Sequence, residues 1–341
     1  MNPRSGFLRP LSPGGAALLP TLLLLVGVGV LFAALPRAAR AAPSATSTAE
    51  EPPPLRVALL QRMFVEVNEN DARAAMLAWA KTMGRERGIP VVLEPNFLTS
   101  IEEVRLAFRR GTIDAVTLPA DDYWALRPDK PEGPFIAGAV DGSIEEEYVL
   151  VVRKDRGLDS LPQLRGRSLT VYDNPRACLA PIWLETLLLE LNGERIPEFF
   201  GRVAHNPRLS RVVLPVFFGQ SDAALVTLRG FRLMSELNPQ VGEQLVVLAV
   251  SPPVLPVVFC FRPGFTSPYR AKLLQAVNTF HQTSAGQQTL TLFQTDRLIE
   301  CPVEAIAGAC AMLDRHEQLR LAHPPRTMSV QAAPTAGPPR P

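Results

Sequence analysis

The side chains of this sequence that are best suited to chemistry are charged, hydroxyl and aromatic groups that follow apolar runs. In chain order they are Arg62, Phe64, Thr99, Ser100, Asp121, Tyr123, Asn174, Arg176, Thr227 and Arg229. If the apolar runs are strands of open α/β sheets, these groups lie beyond the carboxyl ends of the strands, where such sheets bind ligands. The pattern predicts a binding site for a small polar molecule.

Asn174 and Arg176 are the best candidates for binding an anion. They lie where a predicted helix begins, and the N-terminus of a helix attracts negative charge. The guanidinium of Arg176 can add a charge-assisted, forked hydrogen bond. Thr227 and Arg229 follow a second predicted strand and are candidates by the same topological rule.

The remaining candidates each have a structural alternative. Asp121 beside Tyr123 suits a cationic ligand, but acidic residues are equally typical of the first turn of a helix. Thr99 and Ser100 can donate to a ligand oxygen or can cap a helix. Arg62 and Phe64, which follow the first predicted strand, can line a cleft or can belong to a solvated loop.

Signatures of catalysis and of metal binding are weak. Cys178 can act as a thiol with His205 as its base, but nothing in the sequence brings the two together. The four histidines have no ligand spacing with one another or with the cysteines. No Walker-type glycine loop, dinucleotide-binding glycine motif or nucleophile elbow occurs. The sequence therefore predicts no enzyme, no metal site and no cofactor.

A short phrase that occurs twice indicates how these residues are positioned. Residues Gly111–Ala115 read GTIDA and residues Gly219–Ala223 read GQSDA, and each phrase joins an amphipathic stretch to an apolar run. The pattern predicts a helix, a glycine turn, an aspartate at the strand entrance and a buried parallel strand. Asp114 and Asp222 are therefore expected to be structural. Two such units predict two α/β lobes with a ligand cleft between them.

The order of predicted elements supports this α/β architecture. The elements before the first phrase are a strand at Leu55–Leu60, a helix at Asn70–Gly84, a strand at Val91–Leu93 and a helix at Ile101–Arg110. The strand Glu147–Arg153 is expected to leave the first lobe, and the broken apolar run Val254–Phe261 to return to it. Further helices are expected at 174–191, 269–282 and 299–313.

Composition excludes some functions and bounds the folded body. The 341 residues carry a formal net charge of +2 with both signs interspersed, so the chain has no electrostatic footprint for nucleic acid. Two proline-rich segments without apolar periodicity are expected to be disordered. The predicted divisions are a leader or anchor at 1–41, a disordered linker at 42–54, a first lobe at 55–147 and 251–321, a second lobe at 148–250 and a disordered tail at 322–341.

The N-terminus has the pattern of an export signal. Arg4 and Arg9 precede the apolar run Leu22–Leu35, and the small-residue site Ala39–Ala41 follows it. An uncleaved membrane anchor is the alternative, because residues 16–35 are long and apolar enough to span a bilayer once. Either interpretation predicts a periplasmic or otherwise extracytoplasmic body.

The four cysteines are too few for a disulfide-based scaffold. Cys260 lies within an apolar run and is expected to be a buried small hydrophobe. Cys301 and Cys310 can pair if Cys301 lies in a loop. They cannot pair if both lie on one helix, because nine residues of helix separate them by about 13 Å.

Five segments resemble the two-lobe substrate-binding proteins of ABC importers, and within them the phosphate/phosphite/phosphonate-binding group. They are Leu55–Leu60, Thr99–Ala115, Leu161–Val171, Gly219–Val226 and Ser251–Arg262 with the helix that follows. The resemblance implies two lobes, each a mixed, mainly parallel sheet flanked by helices, joined by two crossing strands. It also implies capture of a small polar, anionic molecule and a membrane permease as partner.

The chain departs from this group at the turn that binds the anion. Phosphonate binders of the group carry a Ser/Thr-rich turn at the start of the second-lobe helix, whereas residues 173–180 here read DNPRACLA. The expected ligand is thus a phosphonate-like or other oxyanion. The alternative function is a ligand-sensing or accessory module with the same fold, attached to a membrane sensor complex. In either case the protein is expected to act as a monomer without nucleic acid.

Overall fold

The computed structural model describes residues 51–65, 68–93 and 97–325. All of them belong to one compact unit, Glu51–Pro341. The predicted leader or anchor at 1–41, and most of the predicted linker and tail, lie outside the described residues. Within the described ranges, no helix combines the length and the apolar character needed to cross a bilayer.

The described ranges contain twelve strands. In chain order they are β1 (Leu55–Leu60), β2 (Val91–Val92), β3 (Phe97–Leu98), β4 (Ala115–Pro119), β5 (Phe135–Ala139), β6 (Tyr148–Arg153), β7 (Ser168–Tyr172), β8 (Arg202–Asn206), β9 (Ala223–Thr227), β10 (Leu245–Val250), β11 (Val257–Phe261) and β12 (Arg297–Cys301).

The same ranges contain eleven α-helices and several short 3₁₀ turns. The helices are α1 (Glu69–Arg87), α2 (Ile101–Arg110), α3 (Ala120–Ala125), α4 (Ala180–Asn192), α5 (Ile196–Phe199), α6 (Leu209–Phe217), α7 (Leu228–Leu237), α8 (Pro239–Gln244), α9 (Pro268–Val277), α10 (Ser284–Leu292) and α11 (Ala307–Ala322).

The strands form two separate mixed sheets flanked by helices, which confirms the predicted fold class. The first sheet has the order β12-β5-β11-β4-β1-β2, with β3 also paired to β1, and the second has the order β10-β6-β9-β7-β8. In the first sheet β1 runs parallel to β2, β3 and β4, whereas β11 and β12 pair antiparallel. We refer to the first sheet with α1–α3, α9 and α10 as lobe 1, and to the second sheet with α4–α8 as lobe 2.

The aspartate of each repeated phrase fixes the entrance of a central strand. Asp114, which is 2% exposed, accepts hydrogen bonds from the backbone N–H and the guanidinium of Arg56 and from the guanidinium of Arg262. Asp222 accepts from the backbone N–H and the hydroxyl of Ser168. The carboxylates thus attach β4 to β1 and β9 to β7, away from the carboxyl ends of these strands. Both were correctly predicted to be structural.

The chain passes between the lobes twice, at residues 140–147 and 251–256. These two crossing segments are joined by a pair of backbone hydrogen bonds between Glu146 and Val254, at 2.8 and 3.0 Å. The hydroxyl of Ser251 also accepts from the backbone N–H of Tyr148 at 2.8 Å. A paired, two-stranded connection of this kind fixes where the lobes meet.

One hydrophobic cluster extends from lobe 1 into lobe 2. It includes Leu118 and Tyr123 on one side and Leu169 and Leu184 on the other. Two further clusters lie within single lobes, one between the first sheet and α1, α9 and α10, and one between the second sheet and α6–α8. The lobes are therefore packed against each other in this structure.

Several predicted boundaries were wrong. Helix α1 continues past Gly84 and ends at Gly88, whose φ of +60° is the left-handed conformation that terminates helices. The predicted helix 299–313 is instead β12 followed by α11, because Pro302 lacks the N–H that a continuing element needs. Helix α9 ends at Val277 rather than at 282.

All four cysteines are free thiols. Cys301 ends β12 and Cys310 lies in α11, so neither the single-helix nor the loop arrangement considered from the sequence applies. Cys260 is fully buried on β11, as expected.

Candidate functional site

The site is built where lobe 2 meets the first crossing segment. Glu146 is 3% exposed, and its Oε1 accepts from Arg176 Nε at 2.7 Å and lies 3.5 Å from Arg229 Nε. Arg229 also pairs with Asp141 at 2.6 Å. We call Asp141, Glu146, Arg176 and Arg229 the hinge cluster. Both of its arginines come from lobe 2 and both of its carboxylates from the crossing segment.

The guanidinium of Arg176 has a hydrogen-bonding group to spare. Its Nη1 donates to the carbonyl of Gly138 on β5 at 3.2 Å, and its Nε donates to Glu146. Its Nη2 is buried and has no hydrogen-bond partner in the described part of the chain. A buried donor without an acceptor costs about 1–3 kcal/mol, so Nη2 is well suited to donate a hydrogen bond to a ligand oxygen.

Local sequence explains the position of Arg176. Asn174 caps the 3₁₀ turn Pro175–Ala177, because its Oδ1 accepts from the backbone N–H of Arg176 at 2.9 Å. Its Nδ2 donates across the cleft to Oε1 of Gln294 in lobe 1 at 3.4 Å. The turn thus brings Asn174 and Arg176 into contact with Gln294 and Gly138 of the facing lobe.

Backbone strain marks the facing side of the cleft. Asp141 and Gln294 are the two non-glycine residues with positive φ among the described residues, at +49° and +51°. Each one contacts a predicted site residue of lobe 2, namely Arg229 or Asn174. Strained backbone of this kind is concentrated at binding sites, because the surrounding structure must hold it in place.

A second polar cluster, formed by Arg62, Asp121 and Asp122, lies between β1 and α3. Arg62 Nη2 donates to Asp121 and its Nη1 donates to Asp122, both at 2.9 Å. Burial and the neighbouring Asp121 raise the pKa of Asp122 to about 6. Cys178 of lobe 2 lies beside this cluster, and its thiol donates to the carbonyl of Pro256 at 3.4 Å. Burial, followed by the charge of Asp121, raises the pKa of the Cys178 thiol, which disfavours the reactive thiolate.

The other predicted residues have structural partners. Phe64 packs against the rings of Phe97 and Phe293, with centroids 5.5 and 5.6 Å away. Tyr123 is 1% exposed in the core of lobe 1, where its hydroxyl donates to the carbonyl of Pro131. The ring of Tyr123 is therefore enclosed by protein and its hydroxyl already has an acceptor.

The predicted hydroxyl donors are helix caps. The backbone N–H and hydroxyl of Thr99 donate to Glu103, and Ser100 accepts from the backbone N–H of Glu103. Thr227 caps α7 by accepting from Gly230. For Thr99 and Ser100 these contacts are the capping alternative considered from the sequence, whereas no capping role was predicted for Thr227.

Sequence reasoning missed Glu146, Gly138 and Gln294. Glu146 is the middle of three consecutive glutamates, and no local signal separates it from its neighbours. Gly138 contributes a backbone carbonyl, and Gln294 is defined by its left-handed conformation. No signal in the sequence identifies either residue.

A cavity of about 120 Å³ opens beside Arg176 and extends into lobe 1. Its polar lining includes Asn174, Arg176, Thr117, Gly138 and Gln294. Its other walls are mainly aliphatic and aromatic and come from β1, β11, α1, α9 and α10.

Comparison with known proteins places this arrangement in a family. The sequence profile of the periplasmic substrate-binding proteins of phosphonate ABC transporters matches residues 64–302. The chain belongs to this family. The members of this family are described as transport proteins rather than enzymes, and membership implies an extracytoplasmic location. Members of this substrate-binding family capture a small ligand and work with an ABC permease. No curated protein matches the sequence.

Solved structures share the fold of this phosphonate-family protein at low identity. A phosphonate-transporter binding protein from Pseudomonas aeruginosa is 14% identical, with a TM-score of 0.55 over 80% of this chain and 89% of its own. A Xanthomonas citri protein bound to ATP is 15% identical, with a TM-score of 0.57 over 80% and 99%. PhnD1 from Prochlorococcus marinus in complex with methylphosphonate is 15% identical, with a TM-score of 0.53 over 77% and 98%.

Proposed function

We propose that this chain binds a small oxyanion between its lobes, through the buried Nη2 of Arg176, and presents it to an ABC permease. The observation that carries the proposal is that this buried donor has no hydrogen-bond partner among the residues that the structure describes. Asn174, on the same turn, supplies a second donor at the cleft. Arg229 lies on the far side of Glu146 and adds positive charge there.

The family supports an anionic ligand for this site. The Prochlorococcus marinus relative is in complex with methylphosphonate and the Xanthomonas citri relative with ATP, and both ligands are phosphorus oxyanions. Arginine is well suited to such oxyanions because its planar guanidinium matches their geometry. In this chain a guanidinium replaces the hydroxyl-rich turn expected for phosphonate binders.

The geometry also accounts for ligand-driven closure. The turn that carries Asn174 and Arg176 belongs to lobe 2, and its partners Gly138 and Gln294 belong to lobe 1. A ligand held by the turn and by lobe 1 binds the closed form better than the open form. Closure is favoured by the amount of this difference in affinity.

Calorimetric titration with phosphate, phosphite, methylphosphonate, methanesulfonate and an alkylamine tests the proposal. We expect binding of at least one oxyanion and none of the amine. Arg176→Gln should weaken oxyanion binding by about 10- to 150-fold, since a hydrogen bond to a charged group contributes roughly 1.5–3 kcal/mol. Arg165→Gln is the matched control, because Arg165 also pairs with a buried glutamate, Glu194, but lies outside the cleft.

The loss must be separated from misfolding, since Arg176→Gln leaves Glu146 buried with only Arg229 nearby. The double variant Arg176→Gln/Glu146→Gln removes that uncompensated charge and should fold while still binding weakly. Oxyanion binding by Arg176→Gln at wild-type affinity, or the absence of oxyanion binding by the wild-type protein, would refute the proposal.

A further inference from the structure

The cavity beside Arg176 has an interior that a small inorganic anion would leave empty. On the first sheet it is bounded by Val57, Leu59 and Phe259, whose side chains point to the same face. On the helical side it is bounded by Trp79 of α1 and Ala276 of α9, with other apolar residues of α1, α9 and α10. Two of the hydroxyl groups that line it already have acceptors, since Thr289 donates to the carbonyl of Ala285 and Thr295 donates to that of Ala139.

The part of the cavity that aliphatic and aromatic side chains line does not hold water well, and it favours an apolar occupant. The volume of about 120 Å³ is comparable with the apolar cavity of about 150 Å³ in another protein that binds benzene. The room is therefore sufficient for an apolar group of about four to six carbon atoms.

The polar side chains of lobe 2 meet the cavity where the two lobes are in contact, which gives an occupant an orientation. Arg176 and Asn174 line the cavity there, and they donate to Gly138 and Gln294 of lobe 1. A molecule with an oxyanion at one end and an apolar group at the other would place its charge at Arg176 Nη2. Its apolar part would then lie between the first sheet and α1, α9 and α10.

We propose that the ligand is an amphiphilic oxyanion, such as an alkyl- or arylphosphonate, whose apolar substituent of about four to six carbons is buried in this cavity. The inference rests on the proposed function, because it takes Arg176 as the partner of the charged group. It adds that lobe 1 selects among ligands, because its cavity limits the size of the apolar substituent.

The test is a series of methyl-, butyl-, hexyl-, octyl- and phenylphosphonate measured by calorimetry. The affinity should rise about fourfold for each buried methylene, reach its maximum at butyl to hexyl, and not improve at octyl. Hexanoate and hexanesulfonate identify which oxyanion the head-group site prefers. Equal affinity for methyl- and hexylphosphonate would refute the inference and leave the proposed function intact.

Filling the cavity provides the structural control. Ala276→Leu should reduce hexylphosphonate affinity at least 10-fold, toward that of methylphosphonate, and change methylphosphonate affinity less than twofold. Ala271→Leu, on the exposed face of the same helix, should change neither. If Ala276→Leu is unstable, Val277→Ala enlarges the cavity instead and should move the optimum to a chain longer by about one or two carbons.

A neutral probe separates the two proposals. Benzene carries no charge, so its binding, followed by shifts of methyl resonances, depends on the cavity alone. We expect the wild-type protein to bind benzene and Ala276→Leu not to bind it. Methylphosphonate binding without benzene binding would refute the inference alone. If no oxyanion of any chain length binds, the proposed function fails and the inference fails with it.

Discussion

Asp122 has the most unusual environment of the carboxylates near the cleft. Its side chain is 13% exposed, it neighbours Asp121, and both carboxylates share the single guanidinium of Arg62. One positive charge cannot fully compensate two negative charges, so burial and repulsion dominate and the pKa of Asp122 rises to about 6.

This environment predicts a dependence of stability on pH. Because the pKa of Asp122 is higher in the folded than in the unfolded protein, the folded state binds more protons between about pH 4 and 6. The contribution of Asp122 to stability is therefore present at acidic pH and is lost as the pH rises through about 6. Asp122→Asn removes this loss. The variant should gain stability relative to wild type on going from pH 4 to pH 7, by up to about 3 kcal/mol.

Urea denaturation at several pH values measures this difference. Glu236→Gln, which changes an exposed carboxylate of α7, is the control and should show no comparable trend. A constant difference between Asp122→Asn and wild type across this range would contradict the prediction.

At the level of elements, the two repeated phrases perform the same task with different partners. Each aspartate fixes the entrance of a parallel strand, but Asp114 is bound by two arginines and Asp222 by one serine. Burial alone would raise the pKa of Asp114, but the hydrogen bonds from Arg56 and Arg262 outweigh it and lower the pKa. At this strand entrance lobe 1 therefore depends on an ionic contact, whereas lobe 2 uses a serine.

This difference predicts that replacing each aspartate by asparagine reduces the free energy of unfolding by different amounts. Asp114→Asn removes the charge that pairs with Arg56 and Arg262 and should reduce the free energy of unfolding by about 1.5–3 kcal/mol at pH 7. Asp222→Asn keeps an acceptor for Ser168 and should cost only about 0.5–1.5 kcal/mol. Because the folded-state pKa of Asp114 is lowered, its contribution should disappear as the pH falls below about 4. Equal costs at pH 7, measured by urea denaturation, would contradict this interpretation.

At the level of the whole molecule, α11 connects the lobes on a surface formed by α3 and α4. Asp314 accepts from Trp124 Nε1 at 2.8 Å and from Arg127 at 3.0 Å, both in lobe 1. On its other side, His316 contacts Glu185 of α4 at 3.0 Å, and Arg315 donates to Glu190 of α4 at 2.9 Å. The last helix of the described chain is therefore part of what holds the lobes in their relative positions.

Removing the lobe 1 contact of α11 should destabilise the protein measurably. Asp314→Ala leaves the partly buried indole N–H of Trp124 without its acceptor and should cost about 1–3 kcal/mol of unfolding free energy. Glu317→Ala is the matched control, because Glu317 is 51% exposed and only pairs with Arg127 at 3.3 Å, and it should cost less than about 1 kcal/mol.

Hydrogen exchange supplies a second measurement on the same variants. In Asp314→Ala the amides of α3 and α11 should exchange faster than those of the second sheet, because the released contact joins these helices. Faster exchange spread evenly over both sheets would indicate general destabilisation rather than a lost connection between lobes.

The local sequence determined the elements and the sites at which strands end. Capping residues, glycine turns and apolar runs depend on interactions within a few residues, so β1 and α2 could be predicted with their boundaries. The same local logic predicted that a helix begins at Asn174, whereas the structure has a short 3₁₀ turn there and α4 begins at Ala180. It failed for 299–313, where pairing of β12 with the distant β5 decides the outcome.

The tertiary structure alone decided which of the candidate side chains remain available to a ligand. Thr99, Ser100, Tyr123 and Thr227 satisfy their hydrogen bonds within the protein, while Arg176 retains a buried donor. Availability depends on partners far apart in sequence, such as Glu146 and Gly138 for Arg176. The cavity beside Arg176 is likewise formed only where the two lobes and several helices meet. No single segment of the sequence encodes it, because it is the space that packing leaves empty.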